Sequence, residues 1–282
     1  MVNARQLWTR LETIHAVTYF APESRAAADA CGLRGFWMGY FAFRAAPLGA
    51  VGPDVVADAF FNFAPGMVAR AIPDAWSHAA PEVLVDARRT SAAAALRRLV
   101  PGIDDVDTAA VAALIDASHA PADHAVDLPL YSANRALPAP ADLVELLWQL
   151  CTILREHRGD AHVAALRAAA LDGAEAHLLL AADQGVPEAL LRDNRGWSAM
   201  DWEMARAALV NRGLLAIAGG VTPDGRALRA SVESATDTRA SEAFDGVVDA
   251  GALLQALDPI ARAVVTSDVI PFPNPMGLPR LV

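Results

Sequence analysis

A carboxylate and an imidazole lie on one face of the first predicted helix. Trp8, Glu12, His15 and Tyr19 follow a 4-3-4 spacing, which aligns side chains along a single face of an α-helix. A carboxylate beside a histidine can fix the tautomer of the imidazole or raise its pKa, and such pairs serve acid–base catalysis. Glu12 and His15 are therefore the candidate catalytic residues. The alternative is an ordinary Glu–His pair on a half-exposed helix.

An arginine lies inside a second, apolar helix. The spacing predicts a helix from about Leu33 to Ala46, which Pro47 ends, and Arg44 is the charge in its interior. A buried guanidinium needs a carboxylate, carbonyl oxygens or an anionic ligand as its partner. An anchor for a ligand and an ion pair, for example with Glu12 or Glu23, both fit the sequence.

Aromatic residues accompany these polar groups in the first half of the chain. The helix around Phe36–Phe43 is rich in rings, and Asn62 lies between further phenylalanines. A pocket with aromatic walls and a few polar groups is typical of a small-molecule site, and a large aromatic core is the alternative. The candidate ligand-binding residues are Tyr19, Trp37, Tyr40, Arg44, Asn62, Phe63 and Trp76.

Short sequence echoes in a constant order indicate an internal duplication. Leu7-Trp8 is matched by Leu147-Trp148, and further echoes follow at offsets between 132 and 142 residues. We predict two similar, mostly helical halves, 1–138 and 139–282. The prolines of Leu137–Pro140 make that segment the predicted linker.

The duplication also suggests where a site would be. The residues aligned with Glu12 and His15 are Thr152 and Arg155, so the proposed acid–base pair is absent from the second half. Since residues needed for the fold alone should recur in both halves, we expect the pocket mainly in the first half.

The second half contains the pattern of a winged helix. Ser198 is predicted to cap a helix that runs to about Asn211. Leu214–Thr222 contains two glycines and predicts a small β-hairpin, after which Pro223 begins another helix. We expect this hairpin to be better formed than its counterpart near Val83–Thr90, where two arginines replace the glycines.

These segments resemble a known family. The stretch from Gly196 to Glu233 is similar to the winged-helix end of MarR-type proteins. With His15–Phe20, Gly35–Phe41 and Phe60–Pro65, most of the chain resembles the actinobacterial SalK-like helix-turn-helix family. The resemblance implies a tandem winged-helix fold in a bacterial cytosolic protein, and it implies no particular activity.

The predicted winged helix carries the wrong charge for reading DNA. Asp201 and Glu203 lie at the end of the helix that would face the groove, and the hairpin tip has no basic residue. The formal net charge of −10 also repels phosphate backbones. DNA is thus a disfavoured partner, and the module can instead serve as a scaffold or as the surface of a homodimer.

Composition excludes several classes of function. All 23 basic residues are arginine, which removes lysine chemistry such as Schiff bases. Nucleotide-binding loops are missing from the sequence, so we expect no cofactor. We expect no metal either, because the pairs His119/His124 and His157/His162 are spaced five residues apart, on poorly matched helix faces. No apolar run or leader suggests a membrane, and we expect a cytoplasmic protein.

The sequence as a whole predicts a mainly α-helical, internally duplicated protein with two winged-helix-like modules. Its expected function is to bind a small organic molecule, either as a binding protein or as a cofactor-independent enzyme of specialised metabolism. The alternative is a ligand-responsive transcription regulator that binds DNA through the second half.

Overall fold

The computed structural model describes residues 4–121, 127–245 and 249–281. In these ranges the chain is mainly helical and forms no β-strand, which confirms the predicted fold class at that level. The α-helices are α1 (Ala4–His15), α2 (Val17–Phe20), α3 (Pro22–Ala30), α4 (Gly35–Ala45), α5 (Pro53–Ala59), α6 (Pro65–Ala69), α7 (Ala75–His78), α8 (Pro81–Leu99), α9 (Thr108–His119), α10 (Pro129–Arg135), α11 (Leu143–Ala168), α12 (Gly173–Gln184), α13 (Glu188–Arg195), α14 (Ala199–Asn211), α15 (Pro223–Ser241) and α16 (Ala250–Thr266).

Side-chain caps fix the starts of several helices in the second half, three of which follow. Asp142 caps α11, and Ser198 forms a capping box with Asp201 at the start of α14. Thr222 caps α15, whose first residue is Pro223. These helices begin where the sequence predicts, because a cap depends on neighbours within one turn.

Helix α4 has a close neighbour at one of its glycines. A Cβ atom added at Gly39 would lie 3.0 Å from the Cβ of Ala28 on α3, so the two helices approach too closely for a larger residue. The helix itself ends at Ala45, and a 3₁₀ turn over Ala46–Leu48 follows. Arg44 is therefore buried near the end of a helix, as the sequence predicts.

The buried apolar residues form three clusters. One cluster surrounds α4, and another joins α12 to α14. The largest cluster takes Leu11 and Leu96 from the predicted first half and Trp148 and Leu257 from the second. The two predicted halves therefore share a core, and the boundary at residue 138 stays a prediction.

The long helix α11 lies at the centre of this shared core. It packs against α1, α8, α9, α10 and α15. Glu12 contacts Arg155 and His15 contacts Thr152, so α1 and α11 run antiparallel. Side chains that are far apart in sequence thereby meet along α11.

The predicted hairpins differ from the structure. At Leu215 the chain makes a single antiparallel bridge to Val221 and forms no strand, so the wing stays a prediction. The prediction of a less well formed hairpin near Val83–Thr90 is wrong, because this segment lies within α8. Pro81 at the first position and the alanine-rich sequence that follows favour a continuous helix there.

No helix in the described ranges is both long and apolar enough to cross a membrane.

Candidate functional site

A cavity of about 430 Å³ lies between segments of the two predicted halves. We call it the main cavity. Its walls come from α1, α4 and the Ala59–Phe63 segment on one side, and from α11, α12, α15 and the Pro275–Pro279 segment on the other. A volume of this size suits a small organic molecule. The site was expected mainly in the first half, and the structure instead builds it from both.

Six arginines line the main cavity, and most of them are paired. The six are Arg5, Arg44, Arg155, Arg158, Arg195 and Arg229. Arg5 and Arg158 pair with Glu233 and Asp237, and Arg229 pairs with Asp183 at 3.0 Å.

One wall of the cavity is a buried ion-pair network. The Nε and Nη2 atoms of Arg44 donate to the two carboxylate oxygens of Glu156, both at 3.0 Å. Arg155 donates from Nη1 to Glu156 at 2.6 Å and from Nε to Glu12 at 3.2 Å. We call these four residues the paired wall. Of the alternatives open for Arg44, an ion pair is formed, but its partner is Glu156 and not Glu12 or Glu23.

The charge of Glu156 is held by its neighbours. Its side chain is fully buried, and burial on its own raises the pKa of a carboxyl group. Arg155 and Arg44 outweigh that effect and hold the pKa of Glu156 well below its usual range. The carboxylate therefore stays ionised between two guanidinium groups.

Arg195, the last residue of α13, differs from the other five arginines. It is 8% exposed, and its Nη2 donates to the carbonyl oxygen of Pro275 at 2.6 Å. Its guanidinium stacks on the ring of Phe63, 4.5 Å from the centroid. Within the described ranges it pairs with no carboxylate, and its Nε has no hydrogen-bond partner. Burial lowers the pKa of Arg195, but a guanidinium remains charged in proteins.

The charges around the main cavity therefore do not balance. Among the described residues, the six arginines face five carboxylates, namely Glu12, Glu156, Asp183, Glu233 and Asp237. The excess positive charge is that of Arg195. An uncompensated buried cation is costly, so this part of the cavity favours an anion.

Two neutral polar groups complete the surroundings of Arg195. Asn62 and His177 line the cavity, and the Oδ1 atom of Asn62 and the Nε2 atom of His177 are buried without hydrogen-bond partners in the structure. Burial, with a contribution from Arg195, lowers the pKa of His177 to about 3, so its imidazole is neutral. We call Arg195, His177 and Asn62 the open corner.

A glycine brings the two sides of the open corner together. A Cβ atom added at Gly173, the first residue of α12, would lie 2.5 Å from the carbonyl oxygen of Phe61. Only glycine allows this approach, which fixes the start of α12 against the segment that carries Asn62. Trp197 also donates to the carbonyl oxygen of Asn62, at 3.1 Å.

The residues predicted as a site are divided among three places. Glu12, Tyr40, Arg44, Asn62 and Phe63 line the main cavity. His15 and Tyr19 line a second, smaller cavity, to which Tyr40 and Arg44 also contribute. Trp37 and Trp76 line neither cavity and pack around the core cluster of α4, where Trp76 donates to the carbonyl oxygen of Val51 at 2.9 Å.

The predicted contact between Glu12 and His15 is not formed. Glu12 accepts hydrogen bonds from Trp8 and Arg155, whereas the ring nitrogens of His15 contact Thr152 and Tyr19, each at 2.9 Å. Helix α1 ends at His15, and the chain turns at Ala16 before α2 begins. The role of His15 in catalysis remains a prediction without the orienting carboxylate.

The hydrogen bonds around His15 determine its tautomer. The hydroxyl of Thr152 donates to the carbonyl oxygen of Trp148 at 2.9 Å, so its oxygen accepts from Nδ1–H of His15. The Nε2 atom is then the acceptor for the hydroxyl of Tyr19. Burial, helped by Arg155, lowers the pKa of His15 well below its usual value, and the ring is neutral.

The sequence analysis missed the contributions of the second half. Arg155, Glu156 and Arg158 lie in a helix whose preceding turns are apolar, and so many charges in a row cannot all face solvent. That run was a usable signal for a buried network. Arg195 and His177 gave no such signal, because each is an isolated residue on an otherwise ordinary helix.

The exposed face of α14 carries two methionines and Glu203, and it is not basic. Met200 and Met204 are 71% and 58% exposed. Arg206 pairs with Glu188 and Glu203, and Arg212 donates to the carbonyl oxygens of Ala169 and Ala170. Arg206 and Arg212 are thus already engaged.

The described residues contain no group of three or more side chains suited to hold a metal ion. His157 and His162 both lie on α11, where His157 packs against Tyr131 and His162 contacts Thr236. His119 ends α9, and His124 lies outside the described residues.

Comparison with known proteins gives one match. A family model described as a helix-turn-helix family matches residues 4–271. Neither a curated protein nor a solved structure matches the chain. The matched range includes every helix from α1 to α16 and all walls of the main cavity except the Pro275–Pro279 segment.

Proposed function

We propose that this chain, which belongs to a helix-turn-helix family, binds a small organic anion in its main cavity. The observation that carries the proposal is Arg195, a buried guanidinium that lines the cavity and pairs with no carboxylate in the described ranges. A carboxylate or another acidic group of the ligand would supply the missing negative charge.

The rest of the cavity supports an organic ligand over a bare ion. Phe60 and Phe63 provide aromatic surface next to Tyr40, and the cavity holds about 430 Å³. Beside Arg195, Nε2 of His177 offers a further hydrogen bond, and Oδ1 of Asn62 can accept one from a hydroxyl or amide group of the ligand. We infer that the acidic group lies in the open corner and that an apolar or aromatic body lies along the phenylalanines.

Mass spectrometry of the native protein, purified from its own host, tests for a retained ligand. A bound mass that carries an acidic group supports the proposal, and a neutral or cationic one contradicts it. A second test measures thermal unfolding with aromatic carboxylates and with the corresponding neutral amides. The carboxylates should raise the unfolding midpoint of the unmodified protein by several degrees more than the amides do.

Two variants connect that test to the open corner. Arg195→Met should abolish the advantage of carboxylates over amides. Arg167→Met is the matched control, because Arg167 is an exposed arginine that pairs with Asp58 outside the cavity, and it should leave that advantage intact. Equal behaviour of the two variants would contradict the assignment.

A second candidate function is a ligand-responsive transcription regulator. The family match favours it, since helix-turn-helix modules commonly bind DNA. The engaged arginines and exposed methionines of α14 provide no phosphate-binding face there. We therefore place DNA binding through the second half behind ligand binding.

We further propose that the chain is a duplicated, SalK-like member of the family. The antiparallel contacts of α1 and α11 support the duplication, because an offset of 140 makes Glu12 equivalent to Thr152 and His15 to Arg155, so the contacts Glu12–Arg155 and His15–Thr152 map onto each other. The echo between Thr90 and Thr222 gives no support, since Thr90 lies within α8 and Thr222 caps α15.

A further inference from the structure

His162, on α11, presents one ring nitrogen to the main cavity. Its side chain is half-buried and lines the cavity. The Nδ1 atom contacts the hydroxyl of Thr236 on α15 at 3.1 Å, and Nε2 makes no hydrogen bond to the described residues. The Nε2 atoms of His157 and His177 are also unpartnered but fully buried, whereas Nε2 of His162 stays accessible. A group inside the cavity can therefore reach it.

The hydrogen bonds of Thr236 fix the tautomer of His162. Thr236 is fully buried, and its hydroxyl donates to the carbonyl oxygen of Val232 at 2.8 Å. The hydroxyl oxygen can then only accept from the ring, so Nδ1 of His162 carries the hydrogen. Burial lowers the pKa of His162, and the carboxylate of Glu233 offsets only part of that effect. The ring is neutral, and its Nε2 is a hydrogen-bond acceptor.

The charges around His162 favour a neutral donor over a cationic one. Arg5, Arg158 and Arg229 are close enough to lower its pKa. The nearby carboxylate, Glu233, already accepts from Arg5 and Arg158, so it is not free to pair with an ammonium group. A hydroxyl suits this place, because it can donate to Nε2 and accept from a guanidinium group, whereas an N–H group can only donate.

His162 and the open corner lie within the range of one small molecule. His177, which belongs to the open corner, is close enough to both Arg195 and His162 for each of them to lower its pKa. All three side chains line the same cavity. The cavity thus offers a place for an anion and an acceptor for a hydroxyl on one ligand.

We propose that His162 contacts the ligand of the main cavity and that this ligand is a hydroxy acid, whose hydroxyl group donates to Nε2. The inference rests on the function proposed above, since it concerns the same ligand. The acidic group lies in the open corner, and the hydroxyl group lies beside α15.

The tautomer of His162 tests the inference without a ligand. A ¹⁵N–¹H correlation spectrum of the imidazole groups at neutral pH should show a proton on Nδ1 and none on Nε2. The signal is assigned by its loss in His162→Phe. A proton on Nε2 would overturn the inference, whatever the main cavity binds.

Calorimetric titration with hydroxy acids tests the class of ligand. The probes are the meta- and para-hydroxy isomers of benzoate, phenylacetate and cinnamate, each compared with its methyl ether. For at least one isomer the hydroxy acid should bind about fivefold or more tightly, as expected for one added hydrogen bond. No such advantage in any isomer, with carboxylates still preferred to amides, would overturn the inference and leave the proposed function standing. Binding of no carboxylate at all would overturn both.

Two variants connect the hydroxyl preference to His162. His162→Phe should abolish that preference and keep the preference for carboxylates over amides, because the open corner is unchanged. The hydroxyl of Thr236 keeps its bond to Val232 in this variant. His157→Phe is the matched control, since His157 is a buried histidine of the same helix that lines neither cavity, and it should keep both preferences. Loss of the hydroxyl preference in both variants, or in neither, would overturn the inference.

Discussion

The paired wall and the open corner of the main cavity use buried arginines in opposite ways. In the paired wall, Arg44 and Arg155 hold Glu156 between them, and each charge is matched. In the open corner, Arg195 contacts only a carbonyl group and an aromatic ring within the described ranges. Burial alone therefore does not distinguish the two arginine environments, whereas the absence of a carboxylate partner does, and it makes Arg195 the proposed ligand contact.

The largest effect that we expect comes from breaking the paired wall. Glu156→Gln removes the charge that two buried guanidinium groups share, and Arg44 then has no carboxylate. The free energy of unfolding should fall by about 3–5 kcal/mol, measured by chemical denaturation. Asp86→Asn, which breaks an exposed pair with Arg89, should cost less than about 1 kcal/mol. A similar loss in both variants would contradict the distinction between buried and exposed pairs.

The two buried carboxylates of α11, Glu156 and Asp160, have pKa values shifted in opposite directions. Burial, with repulsion from Glu156, raises the pKa of Asp160 to about 7, although its Oδ2 accepts from the backbone N–H of Tyr131 at 2.9 Å. The folded state thus binds a proton between about pH 4 and 7 that the unfolded state has lost. The stability that Asp160 contributes is complete below that range and is lost as pH rises through 7.

Asp160→Asn should remove this pH dependence. The amide oxygen can still accept from Tyr131, and no charge develops at high pH. We expect similar stability of variant and unmodified protein near pH 4, and a gain in the variant on the order of 2 kcal/mol at pH 8.5. Denaturation curves at both pH values give the measurement. A gain of equal size at both would mean that the carboxyl group does not titrate in this range.

The open corner should behave differently from the paired wall when its arginine is removed. Arg195→Met strands no carboxylate among the described residues, so stability without ligand should change by less than about 1 kcal/mol or increase. Arg44→Met removes one of the two guanidinium partners of Glu156, and the free energy of unfolding should fall by about 3 kcal/mol. Thermal unfolding of both variants, purified under identical conditions, compares them. A large loss in Arg195→Met would make that residue structural.

The smallest expected effect concerns nucleic acid. Because the arginines near α14 are engaged and the chain is acidic, we expect no binding to random duplex DNA at near-physiological salt. A gel shift over the micromolar range tests this. Binding with a Kd of about 10⁻⁴ to 10⁻⁶ M would bring the regulator candidate ahead of ligand binding.

The sequence predicts best what depends on near neighbours. The caps at Ser198 and Thr222 and the inward face of α14, with Trp202 and Leu209, follow from residues within one or two turns. The prediction of a turn at Val83–Thr90 was wrong, because the alignment with the hairpin of the second half was given more weight than the helix propensity of the stretch.

Contacts between residues that are distant in the chain could not be predicted from the sequence. Arg44 and Glu156 are 112 residues apart, and no local pattern connects them. The need of Arg44 for a partner was predictable from its burial, but the identity of the partner depends on how α4 and α11 pack. The same holds for the open corner, where Asn62 was predicted and its neighbours His177 and Arg195 were not.

The hydrogen bonds that run from Tyr19 through His15 and Thr152 to Trp148 all point in one direction. The Nδ1–H of His15 points to Thr152 on α11, so we expect its exchange with solvent to depend on the separation of α1 and α11. The Nδ1 proton of His15 should therefore give a slowly exchanging signal in a ¹⁵N-resolved spectrum of the imidazole nitrogens. The exchange rate of that proton would measure how often the core shared by the two predicted halves opens.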